Sequence, residues 1–225
     1  MVAMTTLEIT GYGDQPVPNR FYRQDRAATR LGIVLPGLGY NCDMPLLYYP
    51  TKLLLARGAD VLQLRPDYYT PEFQSLPGEE RAHRAGVDAT AALREGLAQR
   101  DYSQIVLVGK SIGTLALAHL VSTEARLADA VTVWLTPVFR GRWVVDAALQ
   151  FKGPALFVAG TADTLFDAEA MSKVRETTDA QVLVVQGADH SMEIPGDPLR
   201  SLGVLDQVVR AIAGLFDRHG ITAAQ

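Results

Sequence analysis

The hydrophobic positions of this chain change their rhythm near residue 30. Before it, residues 7–10 and 21–24 are short strand-like runs separated by the polar, proline-containing stretch 11–19, a pattern that predicts two antiparallel strands joined by a hairpin loop. After it, runs rich in Val, Ile and Leu recur without polar alternation at residues 32–35, 60–64, 104–108, 130–135, 155–159 and 181–185. Strands buried on both faces have this composition. Helical stretches lie between them, at residues 45–57, 78–99, 112–123, 142–150, 168–176 and 199–218. In the second of these, Ala82, Ala85, Ala89, Ala92, Leu93 and Leu97 recur at helical spacing and form a face of mostly small residues that can lie close against a sheet. Strands alternating with helices of this length imply right-handed crossovers and an α/β fold, with a mostly parallel sheet covered on both faces.

Ligands of such sheets bind beyond the carboxyl ends of the strands. One of those ends carries Gly109-Lys110-Ser111-Ile112-Gly113, set between the apolar run 105–108 and the helix-forming run 114–121. Glycines two residues to either side of a serine suit a sharp strand-to-helix turn, where larger side chains would collide with the neighbouring backbone. The pattern G-x-S-x-G alone is weak evidence, so its weight depends on the elements around it and on partners downstream.

A serine hydroxyl needs a base to accept its proton, and histidine has the matching pKa. Of four histidines, His190 alone lies in a short polar loop directly after a predicted strand, in Gly187-Ala188-Asp189-His190-Ser191. His83 and His119 fall within helices and His219 near the tail, where surface or packing roles explain them. The orienting acid is expected at Asp163, in the loop after strand 155–159. Asp167 stands where the next helix should begin and reads as its cap, while Asp189 reads as a turn-former. For a developing oxyanion, the backbone N–H groups of Ile112 and of Leu38, in the turn Leu35-Pro36-Gly37-Leu38-Gly39-Tyr40-Asn41, are the expected donors.

In these residues the chain resembles a small member of the α/β-hydrolase superfamily, with the chain order serine, acid, histidine. The resemblance spans residues 36–191 and implies a Ser111–Asp163–His190 triad acting without a cofactor on a carboxylic ester or thioester of a small to medium acyl group. It extends to compact dienelactone-hydrolase-like members, although those use a cysteine nucleophile where this chain has Ser111. Many members carry Pro36's position as histidine, and many carry a cap after the strand that follows the nucleophile helix. Here the interval between residues 137 and 155 holds one short helix, so little or no cap and an open cleft are expected. Tyr40, Asn41, Phe139, Trp143 and Met192 are candidate wall residues, with ordinary packing as the alternative. Tyr68 and Tyr69 are further rim candidates. Lys110 reads as either an exposed positive charge beside the site or a solvated or salt-bridged side chain, the second being preferred; Arg65 reads as a structural ion pair before a substrate contact.

Composition narrows the rivals. With 225 residues, 48% hydrophobic and uninterrupted by a linker-like stretch, the chain is expected to form a single domain spanning 1–225. A net charge of -4 with scattered basic residues gives no reason to expect nucleic acid. The lone Cys42 forms no internal disulfide, the first ten residues do not read as an export signal, and no apolar run approaches membrane-spanning length, so a cytoplasmic protein without membrane contact is expected. Gly109-Lys110-Ser111 resembles the end of a phosphate-binding loop, but that motif needs glycine where Gln104 stands. No H-E-x-x-H or Cys/His cluster suggests a metal. A non-catalytic protein that keeps the fold to bind a small ligand or a protein partner is the remaining alternative. Composition is silent on oligomeric state.

Overall fold

In a computed structural model that describes residues 1–223, eight strands form one sheet in the order β1-β2-β4-β3-β5-β6-β7-β8. The strands are β1 (Val2–Thr5), β2 (Asn19–Gln24), β3 (Arg30–Leu35), β4 (Asp60–Leu64), β5 (Gln104–Lys110), β6 (Val131–Leu135), β7 (Ala155–Gly160) and β8 (Gln181–Val185). β1 and β2 join antiparallel to the edge, and all pairings from β4 through β3 to β8 are parallel.

Because successive side chains of a strand point to opposite faces, the unbroken apolar runs feed two cores. In β5, Ile105 and Leu107 enter one core and Val106 and Val108 the other. The first core lies under α3 (Gly78–Leu97), α4 (Ile112–Thr123), α5 (Arg142–Gln150) and α6 (Ala168–Thr177). The second lies under α1 (Pro45–Ala56) and α7 (Pro198–Arg218). The alanine face of α3 is buried at Ala82, Ala85, Ala89 and Ala92, with Leu97 half-buried, and it packs mainly on α4. There Gly86 meets His119, which burial and nearby His83 hold below the ordinary imidazole pKa, as suits a packing residue.

The amino-terminal hairpin differs from expectation. The partner of β2 is Val2–Thr5, not residues 7–10. The Asn19 side chain occupies the backbone of Leu7, accepting from its N–H at 2.9 Å and donating to its carbonyl at 2.8 Å. Those groups are thereby withdrawn from a strand ladder, and only an isolated Thr10–Pro16 bridge forms. A short helix absent from the sequence reading, α2 (Pro71–Ser75), follows Thr70, whose hydroxyl accepts from Phe73 N. Among the described residues, no helix is long and apolar enough to cross a membrane.

Candidate active site

The carboxyl ends of β5, β7 and β8 carry Ser111, Asp163 and His190 to one point. Ser111 sits between β5 and α4 at φ 53°, ψ −118°, a conformation that few side-chain-bearing residues adopt. The turn is tight enough that a Cβ on Gly109 would lie 2.6 Å from the carbonyl oxygen of Gly113. Ser111 Oγ lies 2.9 Å from His190 Nε2, and His190 Nδ1 lies 2.7 Å from Asp163 Oδ2. With its proton on Nδ1, the imidazole donates to Asp163 and accepts from the serine hydroxyl, the tautomer that general-base attack requires.

The acid and histidine loops are joined by backbone bonds. Ala162 N donates to Ala188 O at 2.9 Å, and Gly187 N donates to Thr161 Oγ1 at 2.8 Å. The other oxygen of the buried Asp163 accepts from Leu165 N at 2.8 Å, which leaves Oδ2 aimed at the ring. Burial, then the nearby Lys110 charge, pushes the His190 pKa below its ordinary value, with Asp163 and Asp189 opposing. That shift favours the neutral imidazole, the form able to accept a proton.

The competing acids have other tasks. Asp167 caps α6 by accepting from Ala170 N at 2.9 Å. Asp189 accepts from Ser191 N and Glu193 N at 2.8 and 3.0 Å, closing its own turn. Asp167→Ala should therefore cost about 1 kcal/mol in chemical denaturation, a lost helix cap, with activity at 25 °C unchanged. A collapse of turnover would instead move the orienting role to Asp167.

Leu38 lies at the tip of a turn closed by reciprocal Gly37–Tyr40 backbone bonds of 2.9 and 3.4 Å. A Cβ on Gly37 would stand 3.3 Å from Ser111 Cβ, so this turn rests against the serine, and Ile112 opens α4 on its other side. Leu38, Ser111, Ile112 and His190 share a cleft of about 990 Å³. Its apolar walls come from Leu38, Ile112, Leu115, Val138, Trp143 and Leu165, and its charged rim from Glu79, Arg81, Arg140, Arg142 and Asp146.

Of the five expected wall residues, only Trp143 lies in this cleft. Phe139 is buried against Phe157 in the core. Tyr40 and Met192 pack in the second core, and Asn41 spends its side chain on Asp43 N at 2.9 Å. The apolar walls come instead from α4, α5 and the loops after β3, β6 and β7, with Gly78, Glu79 and Arg81 added by the start of α3, and no local motif marks them. Tyr68 is buried against Phe73, whereas Tyr69 is exposed beside Gly39. Arg65 pairs with Asp43 at 2.7 Å, a structural ion pair.

Lys110 requires a correction. It is neither solvated nor salt-bridged: the residue is 1% exposed, with Nζ donating to Thr136 Oγ1 at 3.1 Å and to the carbonyl of His190 at 2.9 Å. Among the described residues, no group of three or more His, Cys, Asp or Glu side chains converges as a metal site.

Solved structures share this architecture. The Pyrococcus furiosus esterase Pf2001 superposes with a TM-score of 0.71 at 16% identity, over 96% of this chain and 93% of that one. The chain has the α/β-hydrolase fold. XC6422 from Xanthomonas campestris, described as an α/β serine hydrolase without a lid, matches over 100% of this chain and 96% of its own at TM-score 0.70 and 18% identity. Dienelactone hydrolase from Anabaena variabilis matches over 99% of both chains at TM-score 0.67 and 16% identity. No family model matches the chain, and no curated protein does. Among the described residues, the only helix between β6 and β7 is α5.

Proposed function

We propose that residues 1–225 act as one serine hydrolase domain that cleaves a carboxylic ester or thioester of a small to medium acyl group through an acyl-enzyme. The observation that carries this reading is the continuous chain of Ser111 Oγ, His190 Nε2 and Asp163 Oδ2, with links of 2.9 and 2.7 Å, opening onto an apolar-walled cleft. Ser111 attacks the carbonyl while His190 takes its proton; Asp163 holds the imidazole and favours the imidazolium that forms. The amides of Leu38 and Ile112 stabilise the oxyanion, each contributing roughly 3–4 kcal/mol in comparable sites. His190 then returns its proton to the leaving group, and water attacks the acyl-enzyme to release the acid. Leu115, Val138 and Leu165 offer the acyl chain an apolar bed. Fold neighbours described as esterases and as a dienelactone hydrolase support hydrolysis as the reaction class.

A fluorophosphonate probe should label Ser111, with turnover measured on p-nitrophenyl esters of increasing chain length and on acyl-CoA thioesters. A protein that resists the probe and turns over none of these is a binding protein of this fold, not a hydrolase.

The pH profile follows from the histidine. Because His190 must be neutral to act, kcat/KM should fall as pH drops through its pKa. With that pKa lowered by burial and by Lys110, the midpoint of the acid limb should lie below the ordinary imidazole value of 6.5. A midpoint above 6.5, read from initial rates with one ester, would contradict the assignment.

A further inference from the structure

A buried lysine lies behind the candidate nucleophile, and the mechanism above leaves it without a task. Lys110 ends β5, and its ammonium meets three other strand ends. Nζ donates 3.1 Å to Thr136 Oγ1 after β6 and 2.9 Å to the carbonyl of His190 after β8, and stands 4.6 Å from the centroid of the Tyr40 ring after β3. An ammonium offers three donors and no acceptor, and these neighbours satisfy it with two hydrogen bonds and a cation–π contact. Burying a lysine without a carboxylate partner is costly, and an apolar residue would fill the same volume without that cost. Thr136 also holds a positive φ of 45°, unusual for a β-branched residue, at the position where its hydroxyl meets Nζ.

We propose that Lys110 is a positioning residue that tethers the His190 loop to the strand ends beneath it and so holds Nε2 at the hydroxyl of Ser111. The inference rests on the serine hydrolase reading. One bond fixes the backbone of the very residue whose ring must reach the serine. The geometry is sensitive, since displacing a catalytic group by about 1 Å can cost on the order of 100-fold in rate. The charged neighbours are Asp163 and Asp189, which face both Lys110 and His190; Glu193 and Asp189 face Tyr40. Tyr40 remains a neutral ring, its phenol pushed up to about 12 by burial. Desolvation brings Lys110 down to about 8, so it carries its charge at neutral pH.

The test compares Lys110→Met, which removes donor and charge, with Lys110→Gln, which keeps an N–H donor without the charge. At pH 7.5, Lys110→Met should lose about 10- to 100-fold in kcat, with KM within about twofold of wild type. Lys110→Gln should regain part of that loss. In both, removing a positive charge beside His190 should move the acid limb of kcat to higher pH; the partial return of kcat with the N–H donor of Gln, at unchanged KM, is the result that a purely structural lysine would not produce. Thermal unfolding monitors the fold, and if Lys110→Met does not fold, Lys110→Gln carries the test through its kcat, which should fall below wild type at unchanged KM. Unchanged kcat in the folded variants, or failure of both variants to fold, would overturn the proposal. Wild-type protein without esterase activity or fluorophosphonate labelling defeats the hydrolase reading itself, whereas an active wild type with unaltered variants defeats only the role of Lys110.

Discussion

Ser111→Ala is expected to lower kcat by roughly a million-fold on any ester the protein turns over, with thermal unfolding shifted little. The substitution removes one oxygen from a residue that is 6% exposed and keeps the Cβ, so the elbow backbone and its packing are unchanged. The lost hydrogen bond to His190 Nε2, 2.9 Å long, leaves an imidazole nitrogen facing the cleft, where water can reach it. Stability should therefore stay within about 1 kcal/mol of wild type. Any remaining rate would come from Leu38, Ile112 and binding alone, without an acyl-enzyme. Rapid-mixing experiments with p-nitrophenyl acetate supply the measurement: the burst of p-nitrophenol should vanish. A variant that retained a tenth of the wild-type rate would show that Ser111 is not the nucleophile.

Gly113→Ala should produce a large loss of stability from one added methyl group. A Cβ there would lie 2.3 Å from Leu35 O and 2.8 Å from Pro36 O, both well inside contact distance. Neither atom can swing away as a side-chain tip would. Leu35 ends β3, which is hydrogen-bonded to β4 on one side and β5 on the other. Relief requires moving the first turn of α4 or the end of a central strand. A destabilisation of about 3 kcal/mol is expected, at the upper end of overpacking costs. For a chain of this size that lowers Tm by about 6–12 °C. Differential scanning calorimetry gives the answer, and a drop under about 2 °C would mean that the elbow is looser than its distances imply. Because the displaced atoms adjoin the Leu38 turn, activity of the folded fraction should fall as well.

The architecture was legible because buried parallel strands and covering helices write themselves as distinct apolar periods. The elbow was legible because a cramped turn restricts its neighbours to glycine, and the alternation of strands and helices placed His190 and Asp163 at strand ends, now 2.7 Å apart. What escaped had no local signature. Every residue of β1 faces solvent, so its strand carries no buried face to announce it. Residues 7–10 hold the buried Ile9, yet the Asn19 side chain supplies the hydrogen bonds a neighbouring strand would have made. The cleft walls depend on how the loops after β3, β6 and β7 and the starts of α3, α4 and α5 meet at the carboxyl end of the sheet. Lys110 was misjudged because lysine is normally a surface residue, and its partners stand 26 and 80 positions away.

The single helix between β6 and β7 leaves selectivity in the proposed enzyme to the cleft walls themselves. Esters should be sorted by how well their acyl chains fit the apolar surface of Leu115, Val138, Trp143 and Leu165.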